Sequence, residues 1–428
     1  MIKHEALSAA RSPGLLESPD IKRKGVTVMK TTPKTHITLS AIVLSIGLGF
    51  GSLAAYAIDT NPYLVNLNSR EATNLGTLGG ATGEAYGIND VGQVVGWSFN
   101  AAGKLHAFIT QPGGGGMSDL GTLGGDVSKA EGVNDAGQVA GWSSRSKGYF
   151  SPISPFVTGP DGVGMKGLTA ADNSGIPYGE ALGINNAGQV LAQIAYQDPG
   201  GELNWRNLII GPNGEVSDLG DGQFYGINDS GQVAGDSNGT AFITGPNGIG
   251  RTRIAADEIG ASVHPIAIND VGQVAGTFLQ DGQSHAFITG SSGPNGIGVI
   301  DLGTLGGGFS FAFGVNDMGQ VVGRSTTAEG YIHAFVTGPD GVGMTDLNTL
   351  ADLPKDVILV AARGINNSGQ VIATSVPEPE SYALMLAGLI LIGFMTRRKC
   401  MGYNSFDGRQ ALSALPVLQE IKTMKGYP

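Results

Sequence analysis

Gly87-Ile88-Asn89-Asp90-Val91-Gly92-Gln93-Val94 is the stretch that decides the fold, because the chain repeats it. Its pattern, Gly-(Ile/Val)-Asn-(Asp/Asn)-x-Gly-Gln-Val, occurs seven times with at most one residue changed. The asparagine falls at Asn89, Asn134, Asn185, Asn228, Asn269, Asn316 and Asn366, with spacings of 45, 51, 43, 41, 47 and 50 residues. A period of this length carrying short β-like runs is the sequence mark of a propeller, one blade per repeat. Asn at the first turn position and Gly at the fourth suit a type I turn followed by a left-handed glycine, a three-residue hairpin with a bulge. The Asn or Asp side chain can bond the turn's own amides, and the glycine recurs because that corner needs a positive φ.

Outward from the motif, the first repeat divides into candidate strands over 73–77, 84–89, 93–99 and 105–110, read from the innermost to the outermost. A second recurring turn, Gly-Pro-(Asp/Asn)-Gly at 159–162, 211–214, 245–248, 293–296 and 338–341, is expected to lead from one blade's outer strand to the next blade's inner strand. The seventh repeat supplies 344–350, 362–366 and 369–375 and then lacks a fourth strand, while a spare strand, 63–67, precedes the first repeat. If the spare strand completes the last blade, the chain's two ends seal a ring with no long open edge. The expected architecture is therefore all-β, a seven-bladed β-propeller of four-stranded repeats over 58–375. An open β solenoid is the alternative.

Both ends of the chain read as addresses. From Met29 the sequence has a basic start (Lys30, Lys34), an apolar run over about 37–53 and the small-x-small close Ala55-Tyr56-Ala57. This reads as a secretory signal peptide with Ala55 and Ala57 at its cleavage site, a retained membrane helix being the alternative. Residues 1–57 are grouped as leader and signal. At the other end Val376-Pro377-Glu378-Pro379 precedes an apolar stretch over 382–395 and then Arg397-Arg398-Lys399. That stretch is short for a bilayer crossing, and the basic cluster belongs on the cytoplasmic side. The box, the hydrophobic helix and the basic end, over 376–399, closely resemble the PEP-CTERM sorting signal of Gram-negative bacteria. The resemblance implies export, tethering in the inner membrane by the C-terminal helix, processing by an exosortase-like enzyme and delivery to the cell surface or extracellular matrix. Such signals normally finish a protein, whereas residues 400–428 follow here as a separate tail.

A further string runs along the outermost candidate strand. His106-Ala107-Phe108-Ile109-Thr110 is echoed by 285–289 and 333–337, and 240–244 lacks the His. Together with Asp-Leu-Gly-Thr-Leu-Gly-Gly at 119–125 and 301–307 and the asparagine motif, this resembles the HAF family of bacterial extracellular repeat proteins over about 73–375. The resemblance implies location and repeat architecture, with no chemistry attached.

Composition agrees with an exported domain. The single cysteine, Cys400, lies outside the repeats, so no intramolecular disulfide can form. The repeats are long enough to bury a core without one. Residues 58–376 carry 12 Lys and Arg against 29 Asp and Glu, a net charge of −17. That balance argues against nucleic acid or anionic lipid as a partner and favours solubility.

The candidate chemistry is thin. His106, His285 and His333 belong to separate blades and read as edge residues rather than metal ligands. The Asn-Asp turns invite calcium, but each offers two adjacent groups where a calcium loop supplies more, so turn structure is the preferred reading and no cofactor is expected. Asp90 with Trp97 and Asp135 with Trp142 resemble an Asp box, yet each Trp lies five residues after the glycine, where that box has three. No Gly-x-Ser-x-Gly elbow, His-Glu-x-x-His helix or phosphate loop is present. Eight residues after each motif asparagine stand Trp97, Trp142, Gln193, Asp236, Thr277, Arg324 and Thr374, so no aromatic site repeats in every blade. Packing between blades is the expected role of both tryptophans. The leading reading is a non-catalytic surface or matrix protein, with extracellular polysaccharide as a candidate partner. A saccharide-binding lectin is the alternative. Third is a glycan-degrading enzyme, whose acids would have to come from non-repeated loops such as 197–205 or 351–357.

Overall fold

The computed structural model describes residues 60–148, 151–168, 178–197, 201–255, 262–280, 282–293 and 296–377. Ala55, Ala57, Glu378, Pro379, Arg397, Arg398 and Lys399 lie outside the described residues, as do the leader, the apolar stretch and the tail. Among the described residues no helix is long and apolar enough to cross a membrane.

The strands fall into antiparallel sets of four, as a repeat of four short β runs requires. Blade 1 comprises Gly79–Ile88, Val94–Asn100, Leu105–Thr110 and Met117–Gly121, in that order across the sheet. Blades 2 to 6 follow over 128–167, 179–218, 223–255, 262–301 and 306–346. Blades 4 and 5 are joined into one eight-stranded sheet by a short parallel pairing of Ile254 and Ala255 with Ile297 and Gly298. Blade 7 is made from both ends of the described chain: Val357–Ile365, Gln370–Pro377, Asn61–Asn66 and Ala72–Asn74. In it Asn61 through Asn66 pair with Ser375 through Gln370. The result is a closed β-propeller rather than an open solenoid.

Two expectations about phase are corrected. Residues 73–77 do not begin blade 1. Ala72–Asn74 is the outer strand of blade 7, so the ring closes with two strands from each end instead of one from the N-terminal side. Likewise 344–350 does not open the seventh blade, because Met344–Asp346 is the outer strand of blade 6. The Gly-Pro-(Asp/Asn)-Gly turns therefore join third and outer strands within a blade. At 159–162 the turn sits on its own blade's Asn-Asp-x-Gly turn, with Gly162 N–H donating to Gly137 O at 2.9 Å. Asp161 there has φ of 52°, a left-handed corner that Asp and Asn tolerate better than other side chains. The segment 293–296 departs from this, since Gly293 and Gly296 pair across a hairpin. The last strand also runs through Val376 and Pro377, which pair with Ile358 and Val357, so the propeller reaches two residues past the expected boundary at 375.

The core lies between blades. The middle residue of the third strand is fully buried as Phe108, Phe156, Phe287 or Phe335, each contributing roughly 2–3 kcal/mol by apolar burial. One cluster shows the pattern: Val95, Ala107 and Ile109 of blade 1 pack on Ala130, Val133, Val139 and Phe156 of blade 2.

Candidate functional site

The motif asparagines meet at one mouth of the central channel. Each is buried, and its side-chain amide donates to the backbone carbonyl of the next asparagine round the ring. The bonds run from Asn89 to Asn134, to Asn185, to Asn228, to Asn269, to Asn316, to Asn366 and back to Asn89, at 2.8–3.1 Å. The amide's second hydrogen goes to the glutamine four residues on, as from Asn89 to Gln93 Oε1 at 2.8 Å, and Gln93 N–H returns a bond to Asn89 Oδ1 at 2.8 Å. This satisfies the amide and explains the glutamine of the motif. The expected hairpin is present, with Gly92 N–H donating to Asn89 O at 3.0 Å.

The residues after the asparagines form a second ring. Asp90, Asp135, Asn186, Asp229, Asp270, Asp317 and Asn367 each accept a bond from the backbone N–H of the residue before them in the ring, at 2.7–2.9 Å. The two asparagines also bridge carboxylates: Asn186 donates to Asp135 and Asp229, and Asn367 donates to Asp90 and Asp317. Asp270 has a carboxylate on either side. Its own acid is held above the usual range, first by loss of solvation and then by the charges of Asp229 and Asp317. No group of three or more His, Cys, Asp or Glu among the described residues is placed to hold a metal ion.

Further down the channel the repeat symmetry stops. Every inner strand carries a one-residue register shift just before the motif, and the extra residues are Tyr86, Glu131, Leu182, Tyr225, Ile266, Phe313 and Arg363. A β-bulge re-aims a side chain and bends its strand, and such bulges concentrate beside functional sites. Each bulge lies beside a strand pair that also varies: Glu84 with Trp97, Lys129 with Trp142, Glu180 with Gln193, Gln223 with Asp236, His264 with Thr277, Phe311 with Arg324 and Ala361 with Thr374. These residues form a belt about 16 Å along the strands from the carboxylate ring. Tyr86, Glu131, Tyr225 and Ile266 line the adjoining channel, a space of about 260 Å³.

The belt is bonded unevenly. From blade 7 to blade 2 it is a continuous polar chain. Arg363 Nη2 donates to Glu84 Oε1 at 2.6 Å, and Tyr86 Oη donates to Glu84 Oε2 at 2.8 Å. Lys129 Nζ lies 3.8 Å from the Tyr86 ring centre and 3.0 Å from Glu131. Burial raises the Tyr86 and Glu131 acids, opposed at Glu131 by Lys129. In blade 4, Tyr225 Oη donates to Asp236 at 2.8 Å, and burial with that bond pushes the phenol up. Blades 5 to 7 differ: Thr277 Oγ1, Arg324 Nε, Arg363 Nε and Thr374 Oγ1 are buried without a hydrogen-bond partner. Arg324 stacks near Phe311 (5.1 Å) and Phe313 (5.8 Å), and Arg363 stands 5.0 Å from Phe313.

The remaining sequence candidates are settled locally. His106, His285 and His333 each bond an Asp on the outer strand of the same blade through Nδ1: Asp119 at 2.8 Å, Asp301 at 2.9 Å and Asp346 at 2.6 Å. They are not brought together. Blade 4 has Thr240 in place of the His and Arg253 in place of the Asp, so the pair is lost as a unit. Trp97 and Trp142 sit in the belt, opposite Glu84 and Lys129 of the neighbouring inner strands. The segments 197–205 and 351–357 contribute none of the described channel lining. Sequence reasoning reached the belt only at its second-strand position. The bulge positions carry no shared residue that a repeat search could align.

No protein-family model matches the sequence, and no curated protein matches it. Solved structures do. A TolB-like protein of Agrobacterium tumefaciens matches at a TM-score of 0.40 and 11% identity, over 76% of this chain and 99% of that one. A puromycin-hydrolyzing peptidase of Mycobacterium tuberculosis matches at 0.43 and 11%, over 65% of this chain and 50% of its own. The acylaminoacyl peptidase of Pyrococcus horikoshii matches at 0.41 and 13%, over 68% and 50%. The chain thus spans half the length of either peptidase. At these scores and identities the matches bear on no residue of the channel.

Proposed function

We propose that this chain is an exported, non-catalytic protein of the cell surface or matrix, whose propeller displays the belt as a ligand-binding surface. The observation that carries the reading is the contrast along one channel: seven identical asparagines hold the ring, while the bulged positions beside them are all free to differ. The belt's carboxylates support binding rather than catalysis, since Glu84, Glu131 and Asp236 are each held by a basic or phenolic neighbour. The sequence signals at 29–57 and 376–399 support export, exosortase-type sorting and a transient tether. Because the last strand includes Pro377, the test is to delete 378–399 and fractionate the cells. The truncated protein is expected to stay folded and to leave the surface fraction; unchanged surface retention would sink the sorting reading. Turnover of peptide or glycan substrates by the purified chain would sink the non-catalytic one. A saccharide ligand is the second reading, favoured by half-buried aromatics next to unpartnered donors in the belt.

A further inference from the structure

We infer that the blade 5 to 7 sector of the belt binds the carboxylate of an acidic sugar, with Arg324 as the residue that meets it. The inference rests on the belt being a binding surface and adds the chemistry of what it binds.

Arg324 is half-buried, its Nε is fully buried, and its side chain makes no hydrogen bond or ion pair with any described residue. Its guanidinium is held only against Phe311 and Phe313, and Arg363 stands against the same Phe313 ring. Other cations of this acidic domain stand against carboxylates: Lys104 with Asp126, Lys129 with Glu131 and Arg363 with Glu84. A desolvated cation without an anion is expensive, and burial together with Arg363 lowers the Arg324 pKa from its ordinary value. Structures keep such a residue where its partner arrives from outside, since guanidinium and carboxylate match as a fork to a fork.

The surroundings specify more than a bare anion. Thr277 and Thr374 occupy the equivalent position in the flanking blades, and their buried hydroxyls lack partners too. Two arginines against two phenyl rings, with threonines at the equivalent positions of the adjoining blades, suit a ring-shaped ligand with hydroxyls, an apolar face and one negative charge. Single charge matters, because a domain of net −17 repels a densely charged polymer. A uronic acid has this chemistry.

The test titrates the purified full-length chain with glucuronate, glucose and inorganic sulfate, by calorimetry and by the shift in thermal midpoint. Glucuronate alone is expected to bind and to stabilise. Arg324→Met should weaken it by about ten- to a hundred-fold, the worth of a charge-assisted pair. Because the change removes an unsatisfied buried donor, the variant should fold and melt no lower than the parent, which separates lost binding from lost structure. Arg324→Lys keeps the charge without the fork and should retain only part of the affinity. Sulfate binding as tightly as glucuronate overturns the sugar inference. Glucuronate binding unaltered by Arg324→Met overturns the assignment of the residue. Neutral sugars binding without glucuronate would refute the carboxylate and leave the belt reading standing; no binding by any of them would refute both.

Discussion

The asparagine ring and the belt are built on the same seven blades, yet they use polar groups in opposite ways. At the ring every asparagine amide is satisfied and every position is the same residue. At the belt, blades 7, 1 and 2 are bonded into a chain while blades 5 to 7 leave donors without partners. A fully satisfied buried network specifies one arrangement, whereas an unsatisfied one costs stability that only a ligand or function returns. Position in the repeat thus separates what closes the propeller from what it can bind.

The comparison is broken most severely at the ring. Asn228→Ala removes bonds to Gln232 and Asn269 in a buried setting and is expected to destabilise by about 3 kcal/mol, read from urea unfolding. Glu84→Gln cuts the ion pair to Arg363, whose Nε already lacks a partner. Both side chains are partly exposed, so the expected loss is about 1–2 kcal/mol, and a loss matching that of the ring would erase the distinction.

A gain is expected at Asp270→Asn. The new amide can bridge Asp229 and Asp317 as Asn186 and Asn367 bridge their own neighbours, and one charge leaves a run of three. Stability should rise by roughly 0.5–1 kcal/mol at neutral pH and by less in high salt; a loss would mean that the bridges need the existing spacing. Glu131 supplies the pH test. Burial raises its pKa above 4.5, so the folded chain binds that proton more tightly than the unfolded chain does. Its contribution to stability is therefore greatest in acid and is lost as pH rises from 4.5 through the raised folded value. Comparing urea midpoints in acid and at neutral pH should show that fall in the parent and not in Glu131→Gln. Smallest is Arg324→Met, expected level with the parent or up to about 0.5 kcal/mol above it.

Much of the fold is legible in the sequence because its devices recur. The hairpin at Asn89 to Gly92, the left-handed corners and the use of the first strand to close the last blade all follow from residue types that few other conformations need. The strand phase is harder to read. The residues 119–125 lead from the outer strand of blade 1 towards the inner strand of blade 2, and both lie partly exposed, so hydrophobicity does not assign them. The belt is less legible still. Trp97, Trp142 and Arg324 share an offset from the motif, but unlike residues at one offset look like noise until the strand register shows that each stands beside a bulge. The His–Asp pairs could have been found from the repeats alone, since His106, His285 and His333 each stand a short outer-strand turn from an Asp-Leu pair.

The closing of blade 7 also sets the order of events during synthesis. Asn61 cannot find its partner until Ser375 is available, 314 residues later, where Ser375 Oγ bonds the Asn61 carbonyl at 3.1 Å. Until then the nascent chain presents two unpaired sheet edges, and contacts of such long sequence separation form slowly. A chain stalled before its final strand would be left as a ready template for edge-to-edge aggregation.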